Sequence, residues 1–155
     1  RVLAEVSSVF AVAPTHPLAT AHEPLSEAVI ARHRGVVAAD SSRRLAPRTI
    51  GLLSGQPTLT VPDLDAKLAA QIAGLGCGFL PYALAADAIA SGRLVVRAVE
   101  TPRPPARAHL AWRSAKPGKA LAWWIDAATR ADWRYLAAAP ALPPAPVVRG
   151  RRRTT

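Results

Sequence analysis

Residues 58–81 carry the pattern that most constrains the fold, because they read as a strand, a helix and a second strand in succession. The β-branched, apolar run Thr58–Val61 predicts a strand, which Pro62 ends because proline cannot continue a strand ladder. Asp63 is a good helix N-cap, and it precedes three apolar residues at helical spacing: Leu64, Leu68 and Ile72.

The second half of this unit is rich in glycine. Gly74 and Gly76 are predicted to stop the helix, and residues 77–80 form a short apolar run suited to a strand buried on both faces. Pro81 closes that run. We therefore expect a βαβ unit in which residues 58–61 and 77–80 pair as parallel strands.

The turn after the first strand is the candidate ligand site. In open parallel sheets, small ligands bind at the carboxyl ends of strands, next to helix N-termini whose free N–H groups attract anions. This reasoning selects Thr60, Val61, Pro62 and Asp63. A capped helix start with no ligand explains the same residues equally well.

The rest of the chain alternates short strands and helices, which is typical of an α/β protein. We expect strands at residues 9–13, 36–39, 94–99 and 108–112, a short helix capped by Ser26, and a helix over Tyr82–Ala90. A further helix is expected from Pro117, with its apolar face formed by Leu121, Trp124, Ile125 and Ala128.

Composition excludes several classes of protein. The formal charge is +10, but four arginines near the C-terminus supply four of those charges, which leaves 10 minus 4, or +6, elsewhere. A nucleic-acid role for that basic tail is therefore a weaker reading than a solvated end. The single cysteine, Cys77, fits a reducing cytoplasm, and proline-broken apolar runs predict no membrane span. The absence of methionine suggests a piece of a longer or processed protein.

Several segments resemble the effector-binding domain of LysR-type transcriptional regulators. The resemblance is carried by FAVAPTHPLA at residues 10–19, PLSEAVIARHRGVVAADSSRR at 24–44 and TLTVPDLDAKLAAQIAGLGCGFLP at 58–81, followed by SGRLV, HLAWRS and GKALAWWI. Each motif is weak alone, but their order and spacing over residues 9–126 make the match fairly specific.

The resemblance implies an α/β fold of the type II periplasmic-binding-protein class, with two lobes and an effector in the cleft between them. It assigns residues 1–34 and 115–136 to a partial first lobe and residues 35–114 to a nearly complete second lobe. The composition of residues 137–155, rich in proline and then in arginine, predicts a disordered tail. We expect the chain to be truncated, with the DNA-binding helix-turn-helix domain absent.

The implied function is sensing of a small-molecule effector, such as an organic acid, by a cytoplasmic protein that forms homo-oligomers in the intact family. Residues 60–63 match the family's effector contacts, and an acidic ligand would need a further donor, because Asp63 would repel it. Ser41, Ser42 and Arg43 follow the predicted strand at 36–39 and could supply that donor. A solvated turn is the commoner role for such residues.

Two other functions remain open at this stage. A solute-binding transport protein would share the fold, and a small hydrolase would use Cys77 or a serine as its nucleophile. The four histidines and the scattered carboxylates form no recognisable metal-ligand or acid–base pattern, so we expect no cofactor and no enzymatic activity.

Overall fold

The computed structural model describes residues 1–39, 53–113 and 118–138. These residues form seven strands and four α-helices: β1 (Val2–Val6), β2 (Ser8–Val12), α1 (Glu27–Ile30), β3 (Gly35–Ala38), β4 (Thr58–Val61), α2 (Leu64–Ile72), β5 (Gly78–Pro81), α3 (Tyr82–Ala90), β6 (Val95–Val96), β7 (Ala106–His109) and α4 (Lys119–Arg130). Short 3-10 turns lie at Pro17–Ala19 and Arg134–Leu136.

Five of the strands lie side by side in the order β4, β3, β5, β2, β6. Strand β2 pairs antiparallel with both β5 and β6, whereas β3 pairs parallel with β4. A parallel bridge between Gly35 and Cys77 joins the two groups. Its hydrogen bonds run from the Val36 N–H to the Cys77 carbonyl, at 2.9 Å, and from the Cys77 N–H to the Arg34 carbonyl, also at 2.9 Å.

The predicted direct pairing of residues 58–61 with residues 77–80 is wrong. Both segments are strands and α2 connects them, but β3 lies between β4 and β5 and pairs with β4 along its length. The crossover therefore skips one position in the sheet. Sequence pattern identifies the strands, whereas strand order depends on which backbones can approach each other.

Both faces of the sheet are covered, and the alternation of side chains along β2 divides the core in two. Phe10 and Val12 point to one face, where they pack in a cluster with Leu18, Leu25, Ile30, Cys77 and Val99. Ala11 points to the other face and packs with Leu80, Ala85, Ala88 and Leu94, beneath α2 and α3. This period of two is what a strand covered on both sides requires.

Residues on both sides of position 34 pack into one core. Residues 8–34 belong to the same core as residues 77–99, through the β2 pairings and through Leu25, whose N–H donates to the Ala98 carbonyl at 2.8 Å. Glu23 adds an ion pair with Arg97 at 3.0 Å. The predicted tail overlaps the described residues only at 137 and 138.

A second, smaller sheet joins β1 to β7 in antiparallel register. Residues 118–138 dock near it, since the Ser7 N–H donates to the Leu136 carbonyl at 3.2 Å. The sequence reading missed β1 and placed β7 two residues late. It also predicted that Trp124 packs on the apolar face of α4, but Trp124 is 56% exposed.

The entry to α2 is formed as expected. The Asp63 side chain accepts a hydrogen bond from the Ala66 N–H at 2.8 Å, which satisfies one of the free donors of the helix N-terminus. At the other end Gly74 has a φ of 74°, the left-handed conformation that favours glycine at a helix C-terminus.

We predict that Asp63→Ala lowers the free energy of unfolding by about 1 kcal/mol, because the Ala66 N–H loses its acceptor. Asp63→Asn, which keeps a side-chain oxygen, should retain most of that stability. Denaturant unfolding of the two variants measures the difference, and equal stabilities would contradict the capping role.

We also predict that Gly76→Ala destabilises the protein by about 2 kcal/mol or more, because a Cβ there would lie 2.4 Å from the Arg34 carbonyl oxygen. That oxygen belongs to the bridge joining β3 to β5, so it cannot move freely. Gly118→Ala is the matched control, since a Cβ at Gly118 meets nothing within 4 Å. If thermal melting shows equal effects, the close approach is not essential.

Candidate functional site

The turn selected from the sequence lies at the carboxyl end of β4. Thr60, Pro62 and Asp63 are exposed and Val61 is half-buried, so their backbone and the Thr60 side chain are accessible to a ligand. The Asp63 carboxylate is already engaged in the helix cap. The other predicted contacts, Ser41, Ser42 and Arg43, lie outside the described residues.

We compared three cavities that are lined by described residues. Residues 60–63 line none of these three. The largest, about 490 Å³, is a surface groove between β1 and residues 129–137. Its charged side chains include Asp132 and Arg134, which pair with each other at 2.7 Å in solvent. An open groove whose Asp132–Arg134 ion pair is exposed to solvent is a poor binding site.

A more unusual arrangement lies where β3 and β5 separate. Beyond the bridge at Gly35 and Cys77, the two strands share no further ladder pairing among the described residues. A crevice of about 20 Å³ remains there, enough for one water-sized group. Lys67 of α2 lines it and is only 8% exposed.

Gly78 of β5 lies directly beside the Lys67 side chain. A Cβ at Gly78 would lie 3.5 Å from Lys67 Nζ and 3.7 Å from its Cε, which is van der Waals contact. The end of the Lys67 side chain therefore lies against the backbone of β5. No acidic side chain lies among the described residues that line the crevice. Besides Lys67, the polar or ionisable side chains of that lining are Gln56, Cys77 and Arg103, and the other residues are apolar.

Burial of this lysine is energetically unfavourable. Desolvation and, as a smaller effect, the nearby Arg103 guanidinium together lower the pKa of Lys67 to about 8, although Cys77 opposes the change. Burial also lowers the pKa of Arg103. The Lys67 ammonium therefore lies close to a second cationic side chain in a partly desolvated place, and the two charges repel each other.

An apolar cavity of about 210 Å³ adjoins the crevice and shares Phe10, Ile30, Phe79 and Arg103 with it. The Phe10 and Phe79 rings meet edge to face, with centroids 5.4 Å apart. The Arg103 Cζ lies 4.7 Å from the Phe79 centroid, a cation–π contact that places the guanidinium at the junction of the two cavities. Glu27 is the acidic residue of the described lining, and it is exposed.

The environment of the Cys77 thiol does not favour a role as a nucleophile. The residue is fully buried, and its thiol donates to the Arg34 carbonyl at 3.5 Å. Burial raises the pKa of Cys77 to about 11, although a backbone hydrogen bond and Lys67 oppose the change. The thiol is therefore protonated at neutral pH, whereas thiolate is the reactive form.

Neither histidines nor carboxylates form a metal centre in the described part of the chain, where no group of three potential ligands occurs. The rings of His16 and His33 lie 5.1 Å apart, but His16 Nδ1 accepts from the Leu18 N–H at 3.1 Å and so caps a turn. None of the helices in residues 1–39, 53–113 and 118–138 is both long and apolar enough to cross a bilayer.

Sequence reasoning missed Lys67 and Arg103. A signal for Lys67 was present, because it shares the buried stripe of α2 with Ala70 and Gln71, which lie three and four residues later. A charged residue on a stripe that faces the core is unusual. Arg103 lies in the segment between β6 and β7, and nothing in its local sequence indicates that it reaches Phe79.

Comparison with known proteins places this geometry in a family. The chain is 40% identical over 124 residues to the uncharacterized HTH-type transcriptional regulator YeeY of Escherichia coli K12, covering 80% of this chain and 40% of YeeY. It is 45% identical over 93 residues to the HTH-type transcriptional activator AllS of Klebsiella pneumoniae, covering 60% of this chain and 34% of AllS. The chain thus spans well under half the length of these relatives.

Solved structures show the same fold. The effector binding domain of QuiR in complex with shikimate superposes with a TM-score of 0.59 at 17% identity, covering 83% of this chain and 62% of that one. This likeness confirms the type II periplasmic-binding-protein class of α/β fold predicted from the sequence. The model of the family described as LysR substrate binding domain matches residues 1–133. The chain therefore belongs to the LysR substrate-binding domain family.

Proposed function

We propose that this chain is the ligand-sensing part of a LysR-type transcriptional regulator, which binds a small-molecule effector and catalyses no reaction. The observation that carries the proposal is the family match over residues 1–133. The two relatives described above are named as transcriptional regulators, which supports a regulatory role over a transport role. The protonated, buried thiol of Cys77 argues against the hydrolase alternative.

We propose boundaries between the two lobes that follow the hydrogen bonding between the strands. On this view residues 8–99, with their common core, form one lobe, and the antiparallel pair β1 and β7 forms the strands that cross to the other lobe. Helix α4 would belong to that other lobe. This revises the division expected from the sequence, which placed residues 8–34 in the first lobe.

The effector cleft is proposed to lie at the carboxyl end of β4. Thr60 offers a hydroxyl, and the turn at Val61, Pro62 and Asp63 leads into the N-terminus of α2, where free N–H groups favour an anionic or polar ligand. Ser41, Ser42 and Arg43 are proposed as additional donors, because they follow β3, the strand that pairs with β4.

Signalling would work by a shift in the balance between open and closed lobes. An effector moves that equilibrium only by the difference between its affinities for the two states. We propose that closure acts on DNA through a helix-turn-helix domain of the whole regulator, that the whole protein is a homo-oligomer, and that it operates in the cytoplasm, where its DNA lies.

We predict that an effector identified by a thermal-shift screen of amino acids, hydroxy acids and aromatic acids stabilises the chain. Binding at 100 times the dissociation constant adds about 2.7 kcal/mol to the free energy of unfolding. Failure of every compound class to raise the melting temperature would contradict ligand sensing.

For such an effector, Thr60→Val should weaken binding about tenfold, or about 1.4 kcal/mol, by removing the hydroxyl at the cleft. Thr58→Val, two residues earlier on the same exposed side of β4, is the matched control and should leave the affinity unchanged. Calorimetric titration of both variants measures the effect. Equal affinities would exclude the turn from the site.

A further inference from the structure

The crevice between β3 and β5 holds a buried cation that has no ion-pair partner among the described residues. Lys67 is more than nine-tenths buried, and none of the ion pairs between described residues includes it. Uncompensated burial of an ammonium is costly, and the second cation, Arg103, increases that cost. Methionine or leucine at this position would fill the same space without the penalty.

An anion that enters the crevice would offset the desolvation free energy of the Lys67 ammonium. An oxyanion at the junction with the apolar cavity would meet the Lys67 ammonium from α2 and the Arg103 guanidinium from the segment after β6. Both are strong donors to carboxylates, and in a partly desolvated site such charge-assisted hydrogen bonds are stronger than in water.

The adjoining cavity indicates what the rest of the ligand is. Its volume of about 210 Å³ is lined mainly by apolar side chains, including Phe10, Leu25, Leu53 and Phe79. Since the crevice itself has room for only one water-sized group, a ligand would place a carboxylate oxygen there and its body in the larger cavity. Apolar walls with a few converging polar groups are typical of small-molecule sites.

We infer that the joined crevice and cavity bind a small monocarboxylate with an apolar or aromatic body, held by Lys67 and Arg103. This site rests on the proposed sensing function but is separate from the turn at residues 60–63, which lines neither cavity. It assigns the chain an effector or co-effector class, namely hydrophobic organic anions, rather than amino acids or sugars.

The first test compares sodium benzoate with benzamide, its neutral isostere, by calorimetric titration of the full chain at pH 7. We expect benzoate to bind at least about tenfold more tightly, and acetate, which has no apolar body, to bind much more weakly than benzoate. No detectable benzoate binding, or equal affinities for benzoate and benzamide, would overturn the inference.

The second test removes the charge. Lys67→Met keeps a linear side chain of similar length, and it should lower benzoate affinity at least about tenfold without lowering the melting temperature, because the desolvation penalty disappears with the charge. Lys119→Met is the control, since Lys119 is exposed on α4 and lines none of the three cavities. Equal losses in both variants would mean diffuse ionic attraction and would overturn the site.

The third test needs no variant. Benzoate stays ionised above pH 7, whereas Lys67, with its pKa of about 8, loses its proton between pH 7 and pH 9.5. Among the described residues the other titratable groups facing it are Arg103, which remains protonated, and Cys77, whose pKa is about 11. Benzoate affinity should therefore fall about tenfold or more over that interval at constant ionic strength. A flat profile would exclude Lys67 from the site.

These outcomes separate the inference from the broader proposal. A compound from the effector screen that binds the wild type and Lys67→Met equally would support ligand sensing but show that the monocarboxylate site is wrong. Benzoate binding that disappears in Lys67→Met but persists in Thr60→Val would confirm the crevice as a separate site.

Discussion

The backbone bridge between β3 and β5 is the constraint on which the rest of the structure depends. Two hydrogen bonds of 2.9 Å, from Val36 to Cys77 and from Cys77 to Arg34, join the parallel pair of strands to the antiparallel group. They form because Gly76 lets the two backbones approach to a distance that a Cβ would prevent. Without this contact the two groups of strands would share no common sheet among the described residues.

The bridge also explains why the crevice exists. Because the strands pair at one end and separate beyond it, a gap opens that the buried side chain of Lys67 enters beside Gly78. A complete ladder would have closed that gap and excluded the ammonium. Gln71, one turn further along α2, instead closes the neighbouring region, since its amide donates to the carbonyls of Ala11 at 2.7 Å and Gly78 at 3.0 Å.

At the proposed anion site, stability and ligand binding make opposite demands on Lys67. Packing alone would favour an apolar residue on the buried stripe of α2, and a charged one persists only where something compensates for its desolvation. Conflicts of this kind between local rules and the whole fold are expected at functional sites. The same reasoning separates Lys67 from Cys77, since a buried cysteine fits its apolar surroundings and needs no ligand.

Local elements were largely predictable from the sequence. The strand at Thr58–Val61, the Asp63 cap, the glycine end of α2 and the helix Tyr82–Ala90 all follow from side-chain and backbone preferences within a few residues. The resemblance to a known family supplied the fold class, which the comparisons confirm. The turn at residues 60–63 was predictable as a helix entry, but its role with an effector remains a proposal.

Tertiary structure decided the features that depend on contacts between distant parts of the sequence. The placement of β3 between β4 and β5, the common core of residues 8–34 with residues 77–99, and the meeting of Lys67 with Arg103 all join segments far apart in the chain. Local preferences act over one or two turns of backbone, so the sequence by itself determined the elements and the caps. The order of the strands, and the gap that holds a buried cation, came only from packing the elements together.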